Sequence, residues 1–410
     1  MKDPKRYGTA PDGCRCIGPL ASHIDGFAAQ LGREGYAPTT VREKCAFLAE
    51  ISEGLEAQGL SLEALGERDP GRLDRHHRAR LPRGAAATIN QMLRYLRDLG
   101  CIQQPTRLVA PTPIDEITRG FGEFLWAERG LSRSTLANYL PIVQRFLVEQ
   151  FGGDALQFDK LRAPAIHQFV VRRAQTGSPG RAKLMVTAIR SFLRFLQQRG
   201  VIAADLAAAV PGVASWSLSH LPKTLQPEQV EGLLASCDLS TPTGKRDYAI
   251  LLLLARLGLR GGEVVAMTLD DLDWGCGEIV VRGKGQRLGR LPLPPDVGAA
   301  LADYLRYVRP ACSTRRVFVR MYAPLHGLHG PSSICCIVRR ALTRAGLDPE
   351  FKGAHLLRHS LATDLLRRGA SLAEIGQLLR HSQPTTTQIY AKVDIVALQA
   401  IGLPWPGATS

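Results

Sequence analysis

The sequence predicts a mainly α-helical chain in which two similar all-helical domains precede an α+β domain built around a small β-hairpin or sheet. Three observations predict it. The first half carries an internal repeat of helical pattern. One stretch near the middle of the second half alternates apolar and polar residues around a Gly-Lys-Gly turn. Helical periodicity then resumes to the C-terminus. The 410 residues leave room for two to four domains at roughly 100–200 residues each.

The repeat pairs GYAPTTVREKCAFL (Gly35–Leu48) with GLSRSTLANYLPIV (Gly130–Val143), each a glycine, a Ser/Thr pair and an apolar helical run. The Ser or Thr is the expected N-cap. An amphipathic stretch precedes each copy, around Gly26–Phe27 and Gly120–Phe121. A second pair follows, LRYLRDLGCI (Leu93–Ile102) and FLRFLQQRGVI (Phe192–Ile202). The predicted layout is an extension at 1–17, helical domains at 18–105 and 112–205, a linker at 206–224 rich in Pro, Gly and Ser, and a last domain at 225–410. In that last domain Asp247–Leu257 reads as an apolar helix, with Gln226 or Thr224 near the cap of the helix before it. GEIVVRGKGQRLGRLPLP reads as a hairpin, with Ile279, Val281, Leu291 and Leu293 on its apolar positions.

Composition narrows the function classes. Aromatics are 6% of the chain, so Leu/Val/Ala-rich cores are expected. No run reaches the ~20 apolar residues of a membrane span, and the richest, Ala249–Leu259, holds Arg256. The basic N-terminus lacks an apolar signal-peptide core, so a cytoplasmic location without a membrane partner is expected. The net charge is +15. Residues 221–410 hold 23 of the 52 Lys+Arg and 16 of the 37 Asp+Glu, a surplus of +7 that leaves +8 for the rest. A basicity shared by both halves suits a polyanion that contacts the whole chain, and DNA is the natural one; a merely basic soluble protein has the same charge. The nine cysteines are scattered and odd in number, which argues against a disulfide framework. Cys14, Cys16 and His23 fit no zinc spacing, so no metal or cofactor is expected. Cys335–Cys336 are expected in the core.

The chemistry-bearing residues lie in the last domain. HLLRHSLATDLLRRG (His355–Gly369) sets His355 and Arg358 three apart, on one helical face. A histidine beside an arginine suits an anionic centre that needs proton transfer, although HxxR also arises by chance on solvated basic helices. RHSQPTTTQIYAKV (Arg380–Val393) places His381 nine residues before Tyr390, although a lone tyrosine there is usually a core or rim residue. Arg260 stands at a glycine-flanked helix end with Glu263 placed to pair with it. Lys284 lies between two glycines in the hairpin turn.

The ordered set Arg260, Lys284, His355, Arg358, His381, Tyr390 resembles the tyrosine recombinase (phage integrase) family. The matching segments are GLRGGEV, VRGKGQRLGRLPLP, HLLRHSLATDLLRRG and LLRHSQPTTTQIYAKV. The resemblance spans about 221–400. The 112–205 domain is similar to that family's helical core-binding domain, and 18–105 looks like a duplicate of it. The resemblance implies a metal-free reaction on double-stranded DNA. Arg260 and Arg358 clamp the scissile phosphate and Tyr390 attacks phosphorus. His355 takes the phenolic proton, His381 bonds a non-bridging oxygen and Lys284 protonates the leaving 5′-oxygen. It further implies a homotetramer on paired sites, work for a mobile element of the transposon-associated kind, and companion recombinases. A type IB topoisomerase uses a similar set, and a decayed integrase would only bind DNA; the tandem helical modules and the six filled positions favour recombinase. The chain departs from the family in two places: the extra helical domain at 18–105, and Arg380, which stands where a glycine usually precedes His381. Arg380 must bear strain or end its helix differently, and it is a candidate for an added phosphate contact.

Overall fold

A computed structural model of the chain describes residues 8–9, 15–62, 84–102, 111–152, 155–213, 223–283, 288–381 and 383–393. It divides into two compact units, Pro105–Ser219 and the pair of segments Met1–Gln104 and His220–Ser410.

The first segment of the larger unit opens with two short paired strands, β1 (Gly8–Thr9) and β2 (Arg15–Cys16). Helices α1 (Ala21–Arg33), α2 (Pro38–Ala57) and α3 (Ala85–Asp98) follow. Ile24, Phe27, Leu31, Cys45, Leu48, Met92, Leu93 and Leu96 form their common core. The N-cap of α2 is Ala37 with Pro38 at the first turn, not Thr39 or Thr40. Proline's fixed φ starts this helix without a side-chain cap.

Pro105–Ser219 holds α4 (Pro113–Glu123), α5 (Arg133–Phe151), α6 (Ala163–Gln175) and α7 (Pro179–Gln198). Here the expected cap is present: the Thr135 amide donates to Ser132 Oγ at 3.3 Å. The repeat holds at the level of packing, since α1 and α4 bury Phe27 and Phe121 while α3 and α7 bury Leu93 and Leu193. The cores differ in kind. Six of the chain's twelve phenylalanines, Phe121, Phe124, Phe146, Phe169, Phe192 and Phe195, are buried in this unit. Phe121 meets Phe192 edge to face at 5.2 Å. A low aromatic average therefore hid a local concentration, set among the Leu, Ile and Val that still make up most of this core.

In the second segment of the larger unit, α8 (Pro227–Ala235) starts at Gln226, whose amide donates to Gln229 Oε1. Helix α9 (Pro242–Leu257) buries Ala249 to Ala255 without a break, as a helix apolar all round must. Gly258 ends it at φ +58°, and a Cβ there would lie 2.6 Å from Leu379. Both the left-handed backbone and the close approach require glycine. The short helix α10 (Gly261–Ala266) follows. The hairpin is present as β4 (Glu278–Arg282) and β5 (Leu288–Pro292), antiparallel with Ile279 opposite Leu291. Its apolar face is buried at Ile279, Val281 and Leu291. A two-residue strand, β3 (Leu272–Asp273), adds a third member beside β4. Then come α11 (Pro295–Tyr307), α12 (Pro331–Arg344), α13 (Ala354–Arg367) and α14 (Leu372–Leu378), with short 3-10 turns at Pro384–Thr386 and Gln388–Val393. Cys335 is only partly buried and Cys336 is exposed, because both fall toward the polar face of α12 while Ile334, Ile337 and Val338 take the core. No described helix is long and apolar enough to cross a membrane.

Candidate active site

Five of the six residues singled out lie in described parts of the second segment. Lys284, with the hairpin turn 284–287, lies outside the described residues.

Arg260 is the N-cap of α10. The chain reverses at Gly258, Leu259 plunges into the core, and Arg260 emerges with φ −76° and ψ 147°. Its amide donates to Glu263 Oε2 at 2.9 Å and its Nη1 to Glu263 Oε1 at 2.8 Å. A third of the Arg260 side chain stays exposed. Glu263 is buried. Burial alone would raise its carboxyl, but the Arg260 amide and the charges of Arg380 and Arg260 outweigh it and hold it below the usual range.

Helix α13 carries His355, Arg358 and His359. Arg358 is 3% exposed. It donates from Nη1 to the carbonyl of Gly258 and from Nη2 to that of Leu379, so one side chain ties the end of α9 to the end of α14. Burial, then the charges of Arg260 and Arg380, lower it to about 10. It remains charged at neutral pH.

Tyr390 is 1% exposed and belongs to a small core with Ala362, Ile375 and Leu379. Its hydroxyl lies 2.8 Å from His359 Nδ1. Burial pushes the phenol up to about 12, against the opposing pull of Arg358 and Arg260. His359 is driven down to about 4 by burial, then by the neighbouring His355 and Arg358. The two shifts agree on a neutral pair in which the phenol donates and the imidazole accepts.

His355 sits one turn back on the same face, its ring 6.4 Å from that of His359. More than a third of it is open to solvent, yet the protein around it withdraws enough water, with help from Arg358 and Arg260, to lower its pKa. His381 follows α14, its Nδ1 2.7 Å from Thr387 Oγ1. Burial first, then Arg358 and Arg260, lower it to about 4. Arg260, Arg358, His355, His359, His381 and Tyr390 thus gather around one cluster of positive charge. Among the described residues no group of three or more His, Cys, Asp or Glu is placed to hold a metal. His359 escaped the sequence reasoning. Its signal was present in HLLRH, where a histidine four residues after His355 must share its helical face.

The depressed histidines set a pH dependence. In the unfolded chain they protonate near 6.5, in the folded one near 4 for His359 and His381. Between those values the unfolded state binds more protons, so stability is full above about 6.5 and falls as the pH drops toward 4. Thermal unfolding followed from pH 7 to pH 4.5 is expected to show this fall, and His381→Gln to flatten it; parallel curves for the two proteins would contradict the assignment.

Residues 223–395 match the Phage integrase family and residues 119–200 match the Phage integrase N-terminal SAM-like domain. The chain is 44% identical to y4rA of Sinorhizobium fredii, whose name reads integrase/recombinase, over 95% of both proteins. It is 31% identical to the tyrosine recombinase XerD of Lacticaseibacillus casei, over 68% of this chain and 95% of that protein. Two solved structures share the fold. The XerH site-specific recombinase in a post-cleavage complex with its difH substrate has a TM-score of 0.57 at 20% identity, over 71% of this chain and 96% of that one. The Tn1549 transposon integrase in complex with transposon right-end DNA has a TM-score of 0.52 at 16% identity, over 69% and 99%.

Proposed function

The chain belongs to the tyrosine recombinase family and is a tyrosine-type site-specific recombinase, and on that premise we propose that it breaks and rejoins double-stranded DNA for a mobile element, with Tyr390 as the nucleophile. The observation that carries this assignment is the juxtaposition of a buried tyrosine with two guanidinium groups and three imidazoles. A phosphodiester resists attack because its charge repels a nucleophile and grows in the transition state. Arg260 and Arg358 offset that charge with hydrogen bonds to the non-bridging oxygens, Arg358 from the N–H groups that its two carbonyl bonds leave over, once the movement that exposes Tyr390 opens the site, and His381 adds one more. The Tyr390 oxygen bonds to phosphorus while the bond from phosphorus to the 5′-oxygen breaks. Lys284 gives that oxygen its proton, and the 3′-phosphotyrosine keeps the bond energy for rejoining.

The phenolic proton leaves through the imidazoles of α13. His359 holds the hydroxyl at rest, but a histidine near 4 is a weak acceptor for a phenol near 12. His355 is solvent-open and feels the charges of both Arg358 and Arg260, so an anion bound by them raises its basicity, and it serves as the base. Tyr390 must move outward to attack, since at 1% exposure it meets no substrate. The short 3-10 turns that carry it make that movement less costly than unwinding a long helix. Pairing two duplexes with both strands cut implies four protomers, either four copies of this chain or copies shared with companion recombinases.

With arginines in place of a metal, cleavage of duplexes cut from the DNA flanking the gene is expected to proceed in EDTA; a strict requirement for a divalent cation would contradict the arginine clamp. The two helical modules are further DNA contacts on this view. In the first, Lys44 is committed to Thr88 and Gln91 at 2.8 and 2.9 Å, so it is an interhelical tie rather than a phosphate ligand. In the second, Arg133 stacks over Trp126 at 5.5 Å beside the capped start of α5, and Arg145 is exposed. Deleting residues 1–105 is expected to shorten the footprint and flatten the salt dependence of binding. An unchanged footprint and slope would assign the first module to assembly instead.

A further inference from the structure

We propose that Arg380 is a positioning residue for cleavage, offsetting the charge of Glu263 so that the charge of Arg260 stays available to the scissile phosphate. The inference rests on the active-site assignment above.

Arg380 is the only non-glycine residue with positive φ among the described residues, at +53°. The left-handed region is strained for any side chain and free for glycine. The turn itself gives no reason for arginine. It closes α14 through the Arg380 amide on Gln377 and the His381 amide on Gly376, both at 2.9 Å. It also presents the Leu379 carbonyl to Arg358. Glycine would make all three bonds without strain.

The reason lies in the side chain. It is 15% exposed and its Nη2 stands 2.8 Å from Glu263 Oε2, with Nη1 on the Leu378 carbonyl at 3.1 Å. Its buried Nε finds no acceptor among the described residues. Room for it comes from β5, where a Cβ on Gly289 would lie 2.9 Å from Arg380 Cδ. A strained turn, a glycine on the neighbouring strand and a buried guanidinium with an unsatisfied donor are together costly, and the opposite charge that offsets them is the Glu263 carboxylate. The side chain is turned inward, so Arg380 is not the added phosphate contact that its position suggested.

What this does for the site follows from charge. Glu263 with Arg260 alone is a neutral pair, and its carboxylate repels an incoming phosphate. Arg380 occupies Oε2 beside the Arg260 amide, leaving Arg260 one side-chain bond to Oε1. The trio carries a net positive charge, and the Arg260 fork is held by one prong with the rest of it a third exposed. The substrate then meets an arginine that is both anchored and uncancelled.

The test uses the full chain and a nicked suicide duplex from the element end. Arg380→Gly removes the guanidinium and relieves the backbone, so its unfolding temperature should equal or exceed that of wild type and its DNA affinity should stay close to wild type. Single-turnover cleavage at saturating DNA should fall roughly 10- to 100-fold, the range of one charge-assisted hydrogen bond. Arg380→Lys should recover much of the loss. Glu263→Gln added to Arg380→Gly should also recover part of it, because the uncompensated charge is gone, and the two substitutions should be strongly non-additive. An Arg380→Gly protein that cleaves at the wild-type rate overturns the inference, and so does a loss that neither Arg380→Lys nor the double variant recovers. Failure of the active-site assignment looks different: wild type would form no adduct, or Tyr390→Phe would still form one.

Discussion

Tyr390→Phe is expected to bind its duplex with near wild-type affinity and to form no covalent adduct at all. Only the attacking oxygen is removed. The ring keeps its place among Ala362, Ile375 and Leu379, so the core around it is preserved. The loss leaves His359 Nδ1 without the hydroxyl it meets at 2.8 Å, which costs on the order of 1–3 kcal/mol of stability. Gel-shift titration, thermal unfolding and denaturing gels of the protein–DNA product check the three parts. An adduct that survives the substitution would mean that another residue is the nucleophile.

Arg358→Ala is expected to have the second-largest effect, and to combine two losses. Cleavage should fall by about 100- to 1000-fold, as when a donor to a developing oxyanion is removed. Stability should fall as well, because the carbonyls of Gly258 and Leu379 lose their shared donor in a site 3% exposed. Arg358→Lys separates the two. It retains the charge, but a single ammonium lacks the planar fork that serves two carbonyls and a phosphate together. Its cleavage rate should stay closer to that of the alanine variant than to wild type. Arg260→Ala should slow cleavage with less effect on folding, since Arg260 is a third exposed and bonds only at a helix start. Near wild-type cleavage in either alanine variant would make that arginine purely structural.

Much of this was legible in the sequence because its signals are local. Ile279, Val281 and Leu291 alternate as a half-buried hairpin must, and the structure pairs Ile279 with Leu291. The repeat was visible because the same buried positions recur, Phe27 with Phe121 and Leu93 with Leu193. The apolar run of α9 was visible from its hydrophobicity alone, although its start lies at Pro242 rather than Asp247. What escaped depends on contacts distant in sequence. The His359–Tyr390 bond joins residues 31 apart. The inward turn of Arg380 depends on Glu263, 117 residues away, and on a glycine in β5. The phenylalanine core of Pro105–Ser219 is a matter of where few aromatics fall, which composition averages out. The grouping of Met1–Gln104 with His220–Ser410 involves pairs such as the Leu325 amide on the Glu34 carbonyl at 2.8 Å, for which no local pattern exists.

The central claim is that Tyr390 joins covalently to a 3′-phosphate without a metal. The measurement that tests it most directly is peptide mapping of the adduct trapped on a nicked suicide duplex in EDTA. The account predicts a single modified peptide containing Gln388–Val393, with a 3′-phosphoryl nucleotide on Tyr390 and a free 5′-hydroxyl on the released strand. A nucleotide on any other residue, a linkage to a 5′-phosphate, or an adduct that forms only when a divalent cation is restored would contradict it.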